Sequence, residues 1–304
     1  MKGFEYVTPS SLEEACALLA GAGDAGAGDT GAPDGSVKPL AGGTDLLVQM
    51  RLGTLRPRAL VSLKDVPGLA FVRVEGDGAL EIGAATTLAV VEDSPDVRRA
   101  FPAVAEAASC IGSIQVRNRA TVGGNLCNAA PSADTAPMLI AAGAEAVITD
   151  GRTERTLLLE DFFTGPGETA LRRGELLKAV RVPAMPAGGF ARYFKTFRSA
   201  MDCCTVGVAV FAVFEPESPV VGDARLALGA VAPTPIRARA AEEMVIGRKL
   251  DDSLIAAAAA RAAEEAQPID DVRASAAYRK TLVEVLSKRA LTAARAWAQE
   301  GGSR

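Results

Sequence analysis

The chain has 304 residues, 49 % of them apolar, with 33 basic against 37 acidic side chains, a net charge of −4 and no histidine. Its length and apolar content suit two domains with buried cores, whereas the mild acidity and scattered Lys and Arg exclude a phosphate-tracking nucleic-acid surface. The longest apolar run, Val206 to Phe214, falls far short of the ~20 residues of a membrane helix, and without histidine there is no Ser-His-Asp triad and no H-E-x-x-H zinc site.

No N-terminal stretch joins a basic start to a continuous apolar segment, so a cytoplasmic location is the default expectation. Ser10 or Ser11 caps a first helix running through Leu19, with Glu13 and Glu14 at its positive end. From Gly21 to Gly35 the sequence is low in complexity and reads as a surface loop. It contains Gly21-Ala22-Gly23-Asp24-Ala25-Gly26, which formally satisfies G-x-G-x-x-G, but it follows a helix where the dinucleotide fingerprint needs a strand, and its aspartates would repel a pyrophosphate.

A strand enters Ala41, another covers Ala59 to Leu63, and Val72–Glu75 and Leu80–Gly83 alternate across Gly76-Asp77-Gly78 as a hairpin. Thr87 to Glu92 starts a helix ended at Ser94-Pro95, and Ala103 to Ile111 forms another, which places Gly123-Gly124 on a loop after a helix. The apolar stretch Ala136 to Ala142 precedes a strand from Glu145 to Thr149. Prolines and glycines between Val182-Pro183 and Gly188-Gly189 mark a domain change. Beyond it, Ala191–Phe197, Val206–Phe214 and Ala224–Val231 read as strands, while Ala240–Ala266 and Ser275–Gln299 have helical spacing and are separated by Pro268. Asp270 or Asp271 begins the loop into the last helix, and the whole half reads as an antiparallel sheet with helices on one face.

Five cysteines, Cys16, Cys110, Cys127, Cys203 and Cys204, include no C-x-x-C pair, so reduced buried thiols are expected and a metal or cluster held by this chain is not. Two double-glycine segments carry the chemistry: Ala41-Gly42-Gly43-Thr44-Asp45-Leu46-Leu47 and Thr121-Val122-Gly123-Gly124-Asn125-Leu126. Glycine lets a backbone approach a ligand closely and turn its N–H groups inward, so two such turns can clasp a pyrophosphate. Downstream, Asp134 is placed to accept hydrogen bonds from ribose hydroxyls.

These segments, with Phe4-Glu5-Tyr6 and Pro9 to Ala15, Ile111 through Ala120, Leu228 to Pro235, and Asp271, Arg273, Ser275, Tyr278 and Arg279, make the chain resemble the FAD-binding medium subunit of the molybdenum hydroxylase or xanthine dehydrogenase family. Related subunits occur in carbon monoxide dehydrogenase and in 4-hydroxybenzoyl-CoA reductase, whose inserted cysteine-rich loop is missing here. The resemblance covers almost the whole chain. It implies an α+β protein: a two-part FAD-binding domain of the PCMH (vanillyl-alcohol oxidase-like) type over residues 1–182, then a C-terminal antiparallel sheet with helices of the CO dehydrogenase flavoprotein type over residues 189–300.

It also implies a site. Leu40, Ala41, Gly42, Gly43, Thr44, Asp45 and Leu46 would form the pyrophosphate cradle with Thr121, Gly123, Gly124 and Asn125, and Thr44, Thr121 and Asn125 would add side-chain hydrogen bonds. Asp134, Ile111 and Leu177 correspond to cofactor contacts, although Asp134 also suits a helix cap at Thr135, and Ile111 and Leu177 suit the core. Lys195, Arg198 and Asp202 resemble a basic loop beside the flavin ring, with a Lys195-to-Arg198 spacing one residue shorter than the xanthine dehydrogenase pattern and surface solvation as the alternative. Thr44-Asp45 stands where carbon monoxide dehydrogenase subunits tend to have His-Ser, which counts against that branch.

By the same resemblance, FAD is held non-covalently, since no histidine is available to link it, and no side chain is catalytic. Molybdopterin would sit in a large partner subunit and two 2Fe–2S clusters in a small one, in a dimer of heterotrimers. FAD would receive the electrons and pass them to NAD, oxygen or another carrier. Two other readings stay open: a stand-alone FAD-dependent reductase similar to enolpyruvyl-UDP-N-acetylglucosamine reductase, and a flavin-free scaffold.

Overall fold

The computed structural model describes residues 3–21, 35–199, 201–216 and 218–302. Of the G-x-G-x-x-G-like run only Gly21 is described; the rest of it and most of the loop lie outside the described residues. The chain begins with β1 (Glu5–Val7), α1 (Leu12–Ala20), β2 (Val37–Leu40), α2 (Leu46–Leu52) and β3 (Ala59–Ser62). Strand β3 lies between β1 and β2 and is parallel to both. Ser11 is the N-cap of α1. Its Oγ accepts from Glu14 N at 3.1 Å, while the Ser10 N–H and hydroxyl both donate to Glu14 Oε2 at 2.7 Å, a reciprocal arrangement that satisfies otherwise unpaired donors at the helix start. Ala15, Cys16 and Leu19 then pack onto Val37, Ala59 and Val61.

The second unit contains β4 (Val72–Val74), β5 (Leu80–Gly83), α3 (Leu88–Asp93), α4 (Pro95–Ala100), α5 (Pro102–Ser109), α6 (Ile114–Arg117), α7 (Val122–Cys127) and α8 (Thr135–Ala141). It continues through β6 (Glu145–Thr149), β7 (Glu154–Leu158), β8 (Phe163–Gly165), β9 (Glu168–Thr169) and β10 (Leu176–Val182). A five-stranded antiparallel sheet in the order β4-β5-β10-β6-β7 forms its base. The hairpin and the Glu145 strand fall where the alternation placed them. Every residue of α8 is buried, which explains why its apolar run shows no amphipathic period.

The last strands and helices are β11 (Gly189–Thr196), β12 (Val206–Phe214), β13 (Val221–Gly229), β14 (Ile236–Arg237), α9 (Arg239–Val245), α10 (Asp252–Glu265) and α11 (Ala276–Gln299). They form an antiparallel sheet β11-β12-β13-β14 covered on one face by the three helices. The other face is covered too. In β12, Val208, Val210, Ala212 and Phe214 join the core under the helices, while Ala209 and Phe211 join Met138, Leu139 and Phe101 of the preceding unit. Side chains alternate along a strand, so a strand packed on both faces reads as one continuous apolar run. The approach is close: a Cβ on Gly229 would lie 2.7 Å from Pro137 Cγ of α8.

The helical stretch read from Ala240 to Ala266 is two helices. It breaks at Gly247, whose φ of +75° favours glycine, and Asp251 restarts it by accepting from Leu254 N at 2.7 Å. Gly123 and Gly124 lie in the first turn of α7, not on a loop, because the Thr121 hydroxyl caps that turn. Cys203 and Cys204 precede β12 and are in no strand. Cys204 is buried, but Cys203 is exposed, contrary to the expectation of buried thiols.

Candidate functional site

The loop between β2 and α2 is held against the segment entering α7. A Cβ on Gly42 would lie 2.0 Å from the Arg119 carbonyl oxygen and 2.9 Å from Ala120 Cα, so only glycine allows the two backbones to meet. Gly43 has φ +76°, the left-handed conformation that turns the chain into α2. Between these segments opens a cleft of about 420 Å³, within the range of cofactor pockets, floored by Leu63, Leu69, Leu176 and Leu177 and lined on one side by Ala130, Ser132, Ala133 and Asp134.

The two glycine segments contribute differently. The N–H groups of Ala41, Gly42, Gly43 and Thr44 have no partner among the described residues and lie where the loop lines the cleft. In the second segment the amides are already engaged: Val122 N donates to Thr86 O at 3.0 Å, Gly123 N to Ala84 O at 2.8 Å, Gly124 N to Thr121 Oγ1 at 3.0 Å and Asn125 N to Thr121 O at 2.9 Å. The expectation that the amides of both segments face a ligand is therefore corrected: those of the second are engaged, and only those of the first are unpaired among the described residues. The second offers the hydroxyl proton of Thr121, the bare Cα of Gly124, and the Asn125 NH2, since Asn125 Oδ1 already accepts from Thr135 Oγ1 at 2.5 Å.

Asp134 stands at the N-cap position of α8 but makes no capping bond. Its Oδ1 accepts from the Tyr193 hydroxyl at 2.9 Å and its Oδ2 from Lys195 Nζ at 2.8 Å, and Nζ also donates to Cys110 O at 2.8 Å. The pair is nearly dry, with side-chain exposures of 2 % for Lys195 and 7 % for Asp134. Burial pushes the Asp134 carboxyl up, and Lys195 and Tyr193 pull it back, while burial keeps the Tyr193 phenol protonated. Burial also raises the Asp45 carboxyl in the cleft, partly offset by the Thr44 hydroxyl.

Leu40 through Leu46, Ile111, Thr121, Gly123, Gly124, Asn125, Asp134 and Leu177 all line this one cleft. Ile111 and Leu177 also pack into the core, which agrees with the core reading of both. Lys195 does not line the cleft; it stands behind Asp134. Asp202 lies at the rim, and Arg198 is an exposed partner of it at 3.5 Å. Sequence reasoning missed Lys38, Gln49, Asn128, Met201 and Cys203 as lining residues. Lys38 carried a signal, a charge inside an otherwise apolar strand. Among the described residues no cluster of Cys, Asp and Glu suits a metal ion, and no helix is long and apolar enough to cross a membrane.

Comparison with known proteins gives a consistent result. Residues 2–185 match the family described as the FAD binding domain in molybdopterin dehydrogenase, and residues 191–294 match the CO dehydrogenase flavoprotein C-terminal domain. The carbon monoxide dehydrogenase medium chain of Hydrogenophaga pseudoflava is 35 % identical over 97 % of this chain and 98 % of its own. The xanthine dehydrogenase FAD-binding subunit of Escherichia coli O157:H7 is 34 % identical over 84 % of this chain and 88 % of its own. A solved carbon monoxide dehydrogenase from Hydrogenophaga pseudoflava, lacking the Mo-pyranopterin moiety of its molybdenum cofactor, superimposes with a TM-score of 0.88 at 37 % identity, covering 96 % of this chain and 97 % of that one. Such similar identities do not separate the two branches, so the Thr44-Asp45 departure does not decide between them.

Proposed function

Since the chain belongs to the family of FAD-binding medium subunits of the molybdenum hydroxylases, we propose that it is the electron-transfer subunit of such a complex, receiving electrons from 2Fe–2S clusters of a small subunit while a large molybdenum-binding subunit oxidises the substrate. The acceptor in this reading is NAD or another carrier, in a cytoplasmic dimer of heterotrimers. When bound, FAD supplies the electron storage, accepting electrons singly and releasing them in pairs.

The observation that carries the proposal is the meeting of two distant glycine segments in one cleft. The free amides of Ala41 to Thr44 suit a diphosphate, the Thr121 hydroxyl and Asn125 amide add donors, and the leucine floor suits flat apolar rings. Asp134 is read as a wall that Lys195 and Tyr193 hold in place. The test is to isolate the full chain gently and titrate it with FAD. Uptake of one FAD per chain is expected, and a colourless chain that takes up no FAD refutes the cofactor assignment. Bleaching of the visible absorption by NADH without air assigns NAD as the acceptor, and a flavin that NADH leaves oxidised assigns another carrier. Co-purification of the chain with molybdenum- and iron–sulfur-bearing subunits tests the assembly.

The thiols give an independent readout. Cys203 is exposed at the rim, whereas Cys16 and Cys204 are buried, and burial pushes the Cys16 thiol up to about 11. A thiol reagent is expected to label Cys203 first in the flavin-free chain, and FAD is expected to slow that labelling. Equal rates with and without FAD would place the ligand elsewhere.

A further inference from the structure

The sequence pattern around Asp271 and Arg279 has no part in the cleft, yet Arg279 is 4 % exposed, which is costly for a guanidinium. Its Nη2 pairs with Asp271 Oδ1 at 2.6 Å, and its Nη1 donates to Ala230 O at 2.9 Å. Neither its Nε nor its Nη2 makes a hydrogen bond among the described residues, so the Asp271 contact is an ion pair and the bond to Ala230 O is the directed one. An apolar side chain would fill this place at less cost, so the ion pair and the hydrogen bond to Ala230 call for another explanation.

Asp271 is itself fixed, accepting from Arg273 N at 2.8 Å and Ala274 N at 3.2 Å, and these bonds together with Arg279 hold its carboxyl down to about 2. Ala230, at the end of β13, has φ +63°, a conformation rare for any residue but glycine, so it needs support from its surroundings. Arg279 grips its carbonyl from one side. On the other, Ala230 N donates to Pro131 O at 2.7 Å, and Pro131 opens the turn whose Ser132, Ala133 and Asp134 line the cleft.

We propose that Arg279 is a positioning residue for the flavin site, acting through Ala230 on the Pro131–Asp134 wall. This rests on the reading of the cleft as an FAD site. Among the described residues Arg279 hydrogen-bonds and ion-pairs with no lining residue itself; it fixes the turn against which that wall is hydrogen-bonded.

The test compares the full-length wild type with Arg279→Met, Arg279→Lys and Leu286→Ala, the last removing a side chain from the same helix and core without touching the relay. Arg279→Met is expected to weaken FAD binding about tenfold or more, the equivalent of one lost charged hydrogen bond, and Arg279→Lys to fall between it and the wild type. Hydrogen exchange in the flavin-free chain is expected to quicken at Ala230 and Ala133 in Arg279→Met only. Leu286→Ala is expected to lower the melting temperature with FAD affinity unchanged. The inference is overturned if Arg279→Met leaves exchange at both amides unaltered, or if Leu286→Ala weakens FAD as much as it does. Failure of the wild type to bind FAD, with the exchange effect intact, would sink the FAD reading and leave the relay standing as a brace of that wall.

Discussion

Replacing Gly42 by alanine is expected to cost the chain its flavin. The added methyl would sit 2.0 Å from the Arg119 carbonyl oxygen and 2.7 Å from its carbonyl carbon, both backbone atoms that cannot rotate away. Relief requires the β2–α2 loop and the segment entering α7 to separate, which widens the cleft where its two walls touch. Overpacking of this kind costs about 3 kcal/mol, roughly a hundredfold in affinity if it falls on the bound state. Gly124→Ala provides the contrast, because its methyl would take up some of the cleft and meet the Thr121 hydroxyl at 3.0 Å without pushing the two walls apart. FAD titration of both variants should show a loss far larger for Gly42→Ala. If the two behave alike, the contact between the walls is not what shapes the site.

The second large effect is expected from Lys195→Met. It leaves the Asp134 carboxylate buried with no positive partner and only the Tyr193 hydroxyl and the Cys204 thiol beside it among the described residues, and breaking a buried pair in this way costs about 3–5 kcal/mol. The sign with pH follows from the direction of the shift. Burial raises the folded-state carboxyl above its ordinary value of 3.8, so stability is greatest where the acid is protonated and declines as pH rises through the folded value. Removing Lys195 deletes an opposing influence and carries that window upward. Denaturant melts should therefore show Lys195→Met recovering stability on acidification, and Asp134→Asn added to it restoring much of the loss at neutral pH. A variant as stable as wild type at neutral pH would contradict this account.

What the sequence made legible was local. The hairpin of β4 and β5, the cap at Ser11 and the strands β6 and β12 follow from side-chain period and turn chemistry within a few residues. What escaped it was set at long range. Lys195 and Asp134 are 61 positions apart, and nothing near either announces that the lysine turns inward. The contact of Gly42 with Arg119 likewise joins distant segments, so the sequence pointed to a glycine but not to the backbone it meets. The Ala-rich stretch before Gln267 hid a break between two helices, because one glycine in a good helix former is a weak signal. Glycine pairs suggested amides free to face a ligand, and the structure leaves those of the first pair unpaired among the described residues while engaging those of the second.

The strand β12 carries a consequence for anyone who would recombine such subunits. Because its odd-numbered side chains belong to one core and its even-numbered ones to the other, a cut at the proline-rich linker does not yield two autonomous modules. A chimera that borrows the C-terminal half must import α8, or a helix with its proline and methionine at the same heights, or the grafted sheet will present a greasy flank to water and aggregate.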